Sequence, residues 1–157
     1  MMRRMKTISL FLVMVAGTYQ AIAQATVAVV VSETNSITGL RAVELRQIFA
    51  GERRSWSNGN PIKLFVRGPG TPERAALLAL LRMSESEYRQ YWTAQVFRGE
   101  AQAEPIVLPS NGMQKEALRA FPGGIALVSA EDVKAGMKVL KIDGHVPGET
   151  GYPVISQ

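Results

Sequence analysis

The sequence predicts a single α/β domain with a mixed or mostly parallel sheet flanked by helices. Two observations carry that class. Short β-branched apolar runs alternate with segments of helical periodicity, and no repeat, low-complexity tract or interdomain linker interrupts them. Composition agrees: of 157 residues, 46% are hydrophobic and 20% charged, a balance that can bury a core.

Residues 1–23 stand apart. Arg3, Arg4 and Lys6 make a positive start, residues 7–17 are apolar, and Ala21-Ile22-Ala23 gives a small-x-small pattern before Gln24. This is the layout of a secretory signal peptide, so export to the periplasm with cleavage after Ala23 is expected, leaving residues 24–157 as the domain. The apolar run is short for a bilayer, and no later segment approaches the ~20 apolar residues of a spanning helix. No stable membrane insertion is therefore expected. The formal charge of +5 includes those three basic residues, so its basic character is mostly a targeting charge.

Along the domain, residues 26–32 (Thr-Val-Ala-Val-Val-Val-Ser) read as a strand buried on both faces. Residues 36–39 are turn-like. Residues 41–50 then place Leu45, Ile48 and Phe49 on one helical stripe, with Gly51 as the stop. Residues 52–61 form a polar loop whose Asn58-Gly59 pair favours a tight turn. A second strand follows at 62–67, broken by Gly68-Pro69-Gly70.

Thr71 and Pro72 open the next helix, as N-cap and first helical residue. Residues 75–81 are apolar all round, which predicts burial of that helix. Ser84 caps another, in which Tyr88, Tyr91, Trp92 and Val96 recur at helical spacing. A third strand spans 105–108, a helix 113–121, and further strands 125–128 and 138–142, the last two joined by an acidic turn-helix at 130–135. Leu45, Ile48, Phe49, Leu78, Leu81, Tyr91, Trp92 and Ile125 are the expected core.

The turn from Arg67 to Arg74 is the candidate site. It leads from a strand into a helix, where unpaired N–H groups and the helix dipole can hold an anion. Arg67, Gly70, Thr71 and Arg74 are the candidate ligand-binding residues. The plainer reading of the residues alone is that Thr71 simply caps the helix, accepting from the N–H of Glu73 or Arg74. Pro72 removes a donor and Glu73 already brings negative charge to the first turn, whereas Arg74 near a helix N-terminus calls for a neutralising partner.

Much other chemistry is excluded. The chain has no cysteine and one histidine, His145, which reads as an exposed turn residue. That removes thiolate and His-rich metal sites and leaves no nucleophile–base arrangement, so neither an enzyme nor a cofactor is expected. Arg41, Arg46, Arg53 and Arg54 read as a solvated face rather than a nucleic-acid site. Tyr88, Tyr91 and Trp92 read as core; Trp56, in a polar loop, stays open.

Several motifs together resemble a known family. Leu45, Ile48-Phe49, Gly51, Trp56, Gly59 and Ile62 resemble the segment entering the second lobe of phosphate ABC transporter substrate-binding proteins. Arg67 with Gly70-Thr71 is similar to their phosphate loop, and Phe121-Pro122-Gly123-Gly124-Ile125 to a strand of the same lobe. The resemblance spans nearly all of residues 24–157 and fits the short, single-lobe relatives. It implies one lobe of a type 2 periplasmic-binding-protein-like fold that binds a small oxyanion such as phosphate. Ala126 and Leu127 stand where the family has Gly-Tyr, and full receptors clamp the anion between two lobes. The alternative is an envelope protein-interaction or scaffold module that kept the lobe and lost its ligand. An exposed, apolar Trp56 loop would favour it.

Overall fold

Val27, Ala28, Val29, Val30 and Val31 are all fully buried, making β1 (Val27–Ser32) a strand covered on both faces. The computed structural model describes residues 25–156; the expected signal segment lies outside them. Among the described residues, no helix is long and apolar enough to cross a membrane.

β1 lies in a five-stranded sheet with β3 (Lys63–Arg67), β4 (Ile106–Leu108), β5 (Gly124–Ser129) and β6 (Met137–Val139), in the order β4-β3-β5-β1-β6. β3 runs parallel to β4 and β5, and β1 antiparallel to β5 and β6, so the sheet is mixed. The expected strand at 138–142 is split. Its second half, β7 (Lys141–Ile142), pairs with β2 (Gly39–Leu40) in a separate parallel ribbon. A two-residue strand leaves no period to read, so the sequence pattern showed only a turn there.

Alternation along β1 builds two cores. Val27, Val29 and Val31 join Ile125, Leu127 and Val66 on one face, with Leu45, Ile48 and Phe49 of α1 (Ala42–Phe49), Leu77 and Leu81 of α2 (Pro72–Leu81), and Tyr88 and Trp92 of α3 (Glu85–Phe97). Ala28 and Val30 join Phe65, Ala126 and Val128 on the other, under Leu118 of α4 (Asn111–Ala120). Helices thus flank both faces.

The local signals explain the helix starts. Thr71 caps α2 with Pro72 following, and Ser84 and Glu87 form a reciprocal capping box on α3. α4 starts two residues before the periodicity predicts, because the Ser110 hydroxyl accepts from the Met113 amide at 3.1 Å and sets the cap. Two core expectations need correction. Leu78 and Tyr91 are only half-buried; Leu77 takes the inward position on α2, and Tyr91 donates its hydroxyl to the Ala50 carbonyl at 2.6 Å.

Trp56 is 3% exposed, and its indole Nε1 donates to the Gly123 carbonyl at 2.9 Å. Gly123 is required there, since a Cβ would collide with the Pro61 carbonyl. The polar loop is therefore stapled to the turn before β5.

Candidate functional site

The strand order places β3 between β4 and β5. The chain leaves β3 through α2 on one face of the sheet and leaves β4 through α4 on the other. Connections that diverge to opposite faces open a crevice at the carboxyl ends of the strands, the usual ligand position in open α/β sheets. Arg67 is the last residue of β3, at that edge.

The floor of the crevice is a buried polar network. Glu73, in the first turn of α2, is 3% exposed. Its Oε1 accepts from the Ser129 amide at 3.0 Å, the Ser129 hydroxyl at 2.6 Å and Asn111 Nδ2 at 2.6 Å. Asn111 Nδ2 also donates to Asp132 Oδ2 at 2.8 Å, and Gln114 Nε2 donates to Asn111 Oδ1 and the Leu127 carbonyl. Burial pushes the Glu73 carboxyl up, but the hydrogen bonds from Ser129 and Asn111 outweigh it and hold it below its ordinary value. One carboxylate thus ties α2, α4 and β5 together.

The sequence-predicted residues divide between two cavities. Gly70, Thr71 and Arg74 line a space of about 460 Å³ beside Glu85 and Ser156. Arg67 lines a neighbouring space of about 330 Å³ on the α4 side, with Ser110, Gly112, Lys115, Asp132 and Lys134. The sequence pattern did not bring out Lys115 and Lys134; the Ser110 cap, three residues before Met113, was the one local signal near them.

At the turn, Thr71 is a cap. Its Oγ1 accepts from the Arg74 amide at 3.2 Å and donates to the Gly68 carbonyl at 2.9 Å, which leaves it no proton for a ligand. Gly70 has φ +84°, the left-handed region that favours glycine, with open space where a Cβ would stand. The Gly70 and Thr71 amides find no acceptor among the described residues. Arg74 is 4% exposed and already neutralised. It donates to both Glu85 oxygens, lies over the Tyr88 ring at 4.1 Å, and reaches the Arg67 carbonyl at 3.3 Å.

Arg67 is different. Its Nη2 donates to the Pro109 carbonyl at 3.2 Å and its Nη1 stands 3.8 Å from Glu73 Oε2, while the buried Nε has no partner. His145 lies elsewhere, half-exposed, with Nδ1 3.6 Å from Glu149 Oε2. Among the described residues no group of His, Asp and Glu is placed to hold a metal ion.

No family model matches the chain. Solved structures do. A phosphate transport receptor from Vibrio cholerae superposes with TM-score 0.63 at 18% identity, over 79% of this chain and 48% of the receptor. The fold is that of a phosphate-receptor lobe. The PstS protein of Borrelia burgdorferi gives TM-score 0.62 at 19% identity, over 85% of this chain and 56% of that one. A putative phosphate ABC transporter substrate-binding protein from Clostridium perfringens, solved with bound phosphate, gives 0.62 at 18%, over 77% and 46%. The chain spans about half the length of the receptors it matches. At these identities the likeness is one of fold, and the lobe's binding chemistry rests on its own residues.

Proposed function

We propose that the protein is an exported, periplasmic, non-enzymatic solute-binding-like domain that holds a phosphate-like oxyanion weakly at the turn entering α2. The observation that carries this reading is the pair of acceptor-free amides, Gly70 and Thr71, at a helix N-terminus opening onto a cavity of about 460 Å³. The receptors of the same fold, one of them solved with bound phosphate, support the ligand class. The signal-like start of residues 1–23 supports export.

The charges around the turn argue for weak capture. Arg74 is cancelled by Glu85, and Glu73 already occupies the first turn with negative charge. What remains is two amides and the helix dipole on an open surface, screened by water and salt. Dissociation constants of ~0.1–10 mM follow from so few donors. A non-enzymatic role fits the same residues: among the described residues, the hydroxyl paired with a buried carboxylate, that of Ser129, is itself buried beneath the crevice.

The interaction-module alternative loses its main support, because Trp56 is buried and hydrogen-bonded rather than exposed. Calorimetry with inorganic phosphate tests the proposal on Thr71→Asp and Thr71→Ala. Aspartate can accept the Arg74 amide as threonine does but cannot donate to the Gly68 carbonyl, and it places a carboxylate at the site, so it should lose part of the stability and abolish binding at the turn. Alanine should lose stability and retain binding through the amides. Equal phosphate affinity in the parent and Thr71→Asp would remove the site from the turn.

A further inference from the structure

We propose that two copies of this chain pair edge to edge through β4, antiparallel about a two-fold axis, joining two five-stranded sheets into one. β4 is the outermost strand beside β3, and among the described residues no main-chain group of Ile106, Val107 or Leu108 bonds outside that ladder. Its far edge therefore presents open donors and acceptors. The side chains around it are apolar and uncovered: Ile106 is 39% exposed, Val107 56%, and Met113, in the first turn of α4, 47%.

The two edges of the sheet differ. β6, on the opposite side, carries Lys138, whose Nζ donates to the Asn35 carbonyl, and a lysine on an edge strand discourages pairing. β4 carries no charge. Pro105 and Pro109 bracket it, which limits a new ladder to three residues and fixes its centre. Between identical antiparallel edges, a centre on Val107 sets Val107 against its own copy and Ile106 against Leu108. Pairing of this kind closes on itself and stops at two copies.

Charge complementarity selects a second copy as the occupant. Ile106 pairs with Phe65 on the face that α4 covers, and Glu104, two residues earlier, falls on that face by alternation. A two-fold axis normal to the sheet keeps this face on one side in both copies. Glu104 of one copy then comes opposite Ser110 of the other, the cap of α4. The first turn of α4 has no acidic residue, whereas α1 has Glu44, α2 has Glu73 and α3 has Glu85 and Glu87. The Asn111 side chain serves Glu73 and Asp132, but the amides of Asn111 and Gly112 find no acceptor among the described residues. Those amides and the helix dipole favour a carboxylate. Glu104 is free to supply it. It makes no ion pair among the described residues, and Lys63, its neighbour in the extended β3–β4 register, holds its Nζ over the Phe121 ring at 4.1 Å. Symmetry makes the contact twice.

Three residues a side make a small interface, so the dimer is weak, with a dissociation constant of ~0.01–1 mM. Sedimentation of the exported protein up to ~1 mM tests it, with a thermal melt of every variant. The parent should shift from monomer to dimer as concentration rises. Val107→Lys sets two ammonium groups against each other on the axis, so it should stay monomeric and melt as the parent does. Glu104→Lys should weaken the dimer at least about fivefold, since it places a cation at two helix N-termini. The chain has no cysteine, so Val107→Cys brings a single thiol. Paired residues in a ladder have Cβ atoms ~4.5–5.5 Å apart, near enough for a disulfide to close with a small shift. With oxidised glutathione this variant should cross-link at least about tenfold faster than Phe97→Cys, whose position is more exposed. A monomer at every concentration, a dimer indifferent to Val107→Lys, or cross-linking no faster at Val107 than at Phe97 would overturn the proposal. Unchanged dimerisation of Glu104→Lys would overturn the register on which it rests.

Discussion

Arg74 and Glu85 meet through two hydrogen bonds, Nε to Oε2 at 3.0 Å and Nη2 to Oε1 at 2.7 Å, which fix the start of α2 to the start of α3. The pair answers the question raised by a cation at a helix N-terminus. Arg74 is structural, since its charge is matched and its ring contact with Tyr88 is made inside the fold. Removing one partner of a largely buried pair leaves the other uncompensated.

Arg74→Ala should therefore lower stability by ~3 kcal/mol in urea denaturation, and Arg74→Lys should recover only part, because an ammonium cannot make the two-point contact. Phosphate affinity should change less than about threefold, corresponding to under ~0.7 kcal/mol. Loss of binding with unchanged stability would make Arg74 a ligand rather than a brace.

Glu73 contributes to the response to acid. Its folded value lies below its ordinary 4.5, so ionisation favours the folded state. That contribution is complete above about pH 4.5 and is lost as the pH falls through the depressed folded value. Glu85, held down by Arg74, and Glu44, held down by the Arg41 amide, act in the same direction. Glu73→Gln should cost ~1–3 kcal/mol at neutral pH and flatten the fall in stability below about pH 4.5. An acid-unfolding curve parallel to that of the parent would show that the buried carboxylate carries none of this dependence.

The two leucines in the middle of α2 should separate cleanly. Leu77 is 1% exposed within the larger core, so Leu77→Ala should cost ~2–5 kcal/mol. Leu78 is half-buried against the cavity beside Gly70, and its truncation should cost about 1 kcal/mol. Thermal melts of the two variants check the assignment, and a reversed order would mean that α2 is rotated about its axis.

Thr71 bonds the Arg74 amide and the Gly68 carbonyl together. Thr71→Ser should preserve both bonds and melt within a few degrees of the parent, whereas Thr71→Ala should lose the cap, ~1 kcal/mol. Identical melting of all three would assign the start of α2 to Pro72 alone.

What was legible in the sequence was local. Thr71 with Pro72, the Ser84 cap, and the valine run of β1 each announce an element locally. What was hidden depends on chain crossings. Trp56 donates to the Gly123 carbonyl, 67 residues on, and Glu73 meets Ser129, 56 residues on, because β3 and β5 run side by side. The same crossing divides Arg67 from Gly70 and Thr71, which are almost adjacent in sequence yet line different cavities. Lys115 and Lys134 join Arg67 only through that fold, and no spacing could have shown it.

The amide shifts of Gly70 and Thr71 during titration of the exported protein with inorganic phosphate test the central claim most directly. The account predicts saturable movement of both amides with a dissociation constant of ~0.1–10 mM, weakened by added salt. Both amides remaining still at 10 mM phosphate, in a protein that melts cooperatively, would contradict it.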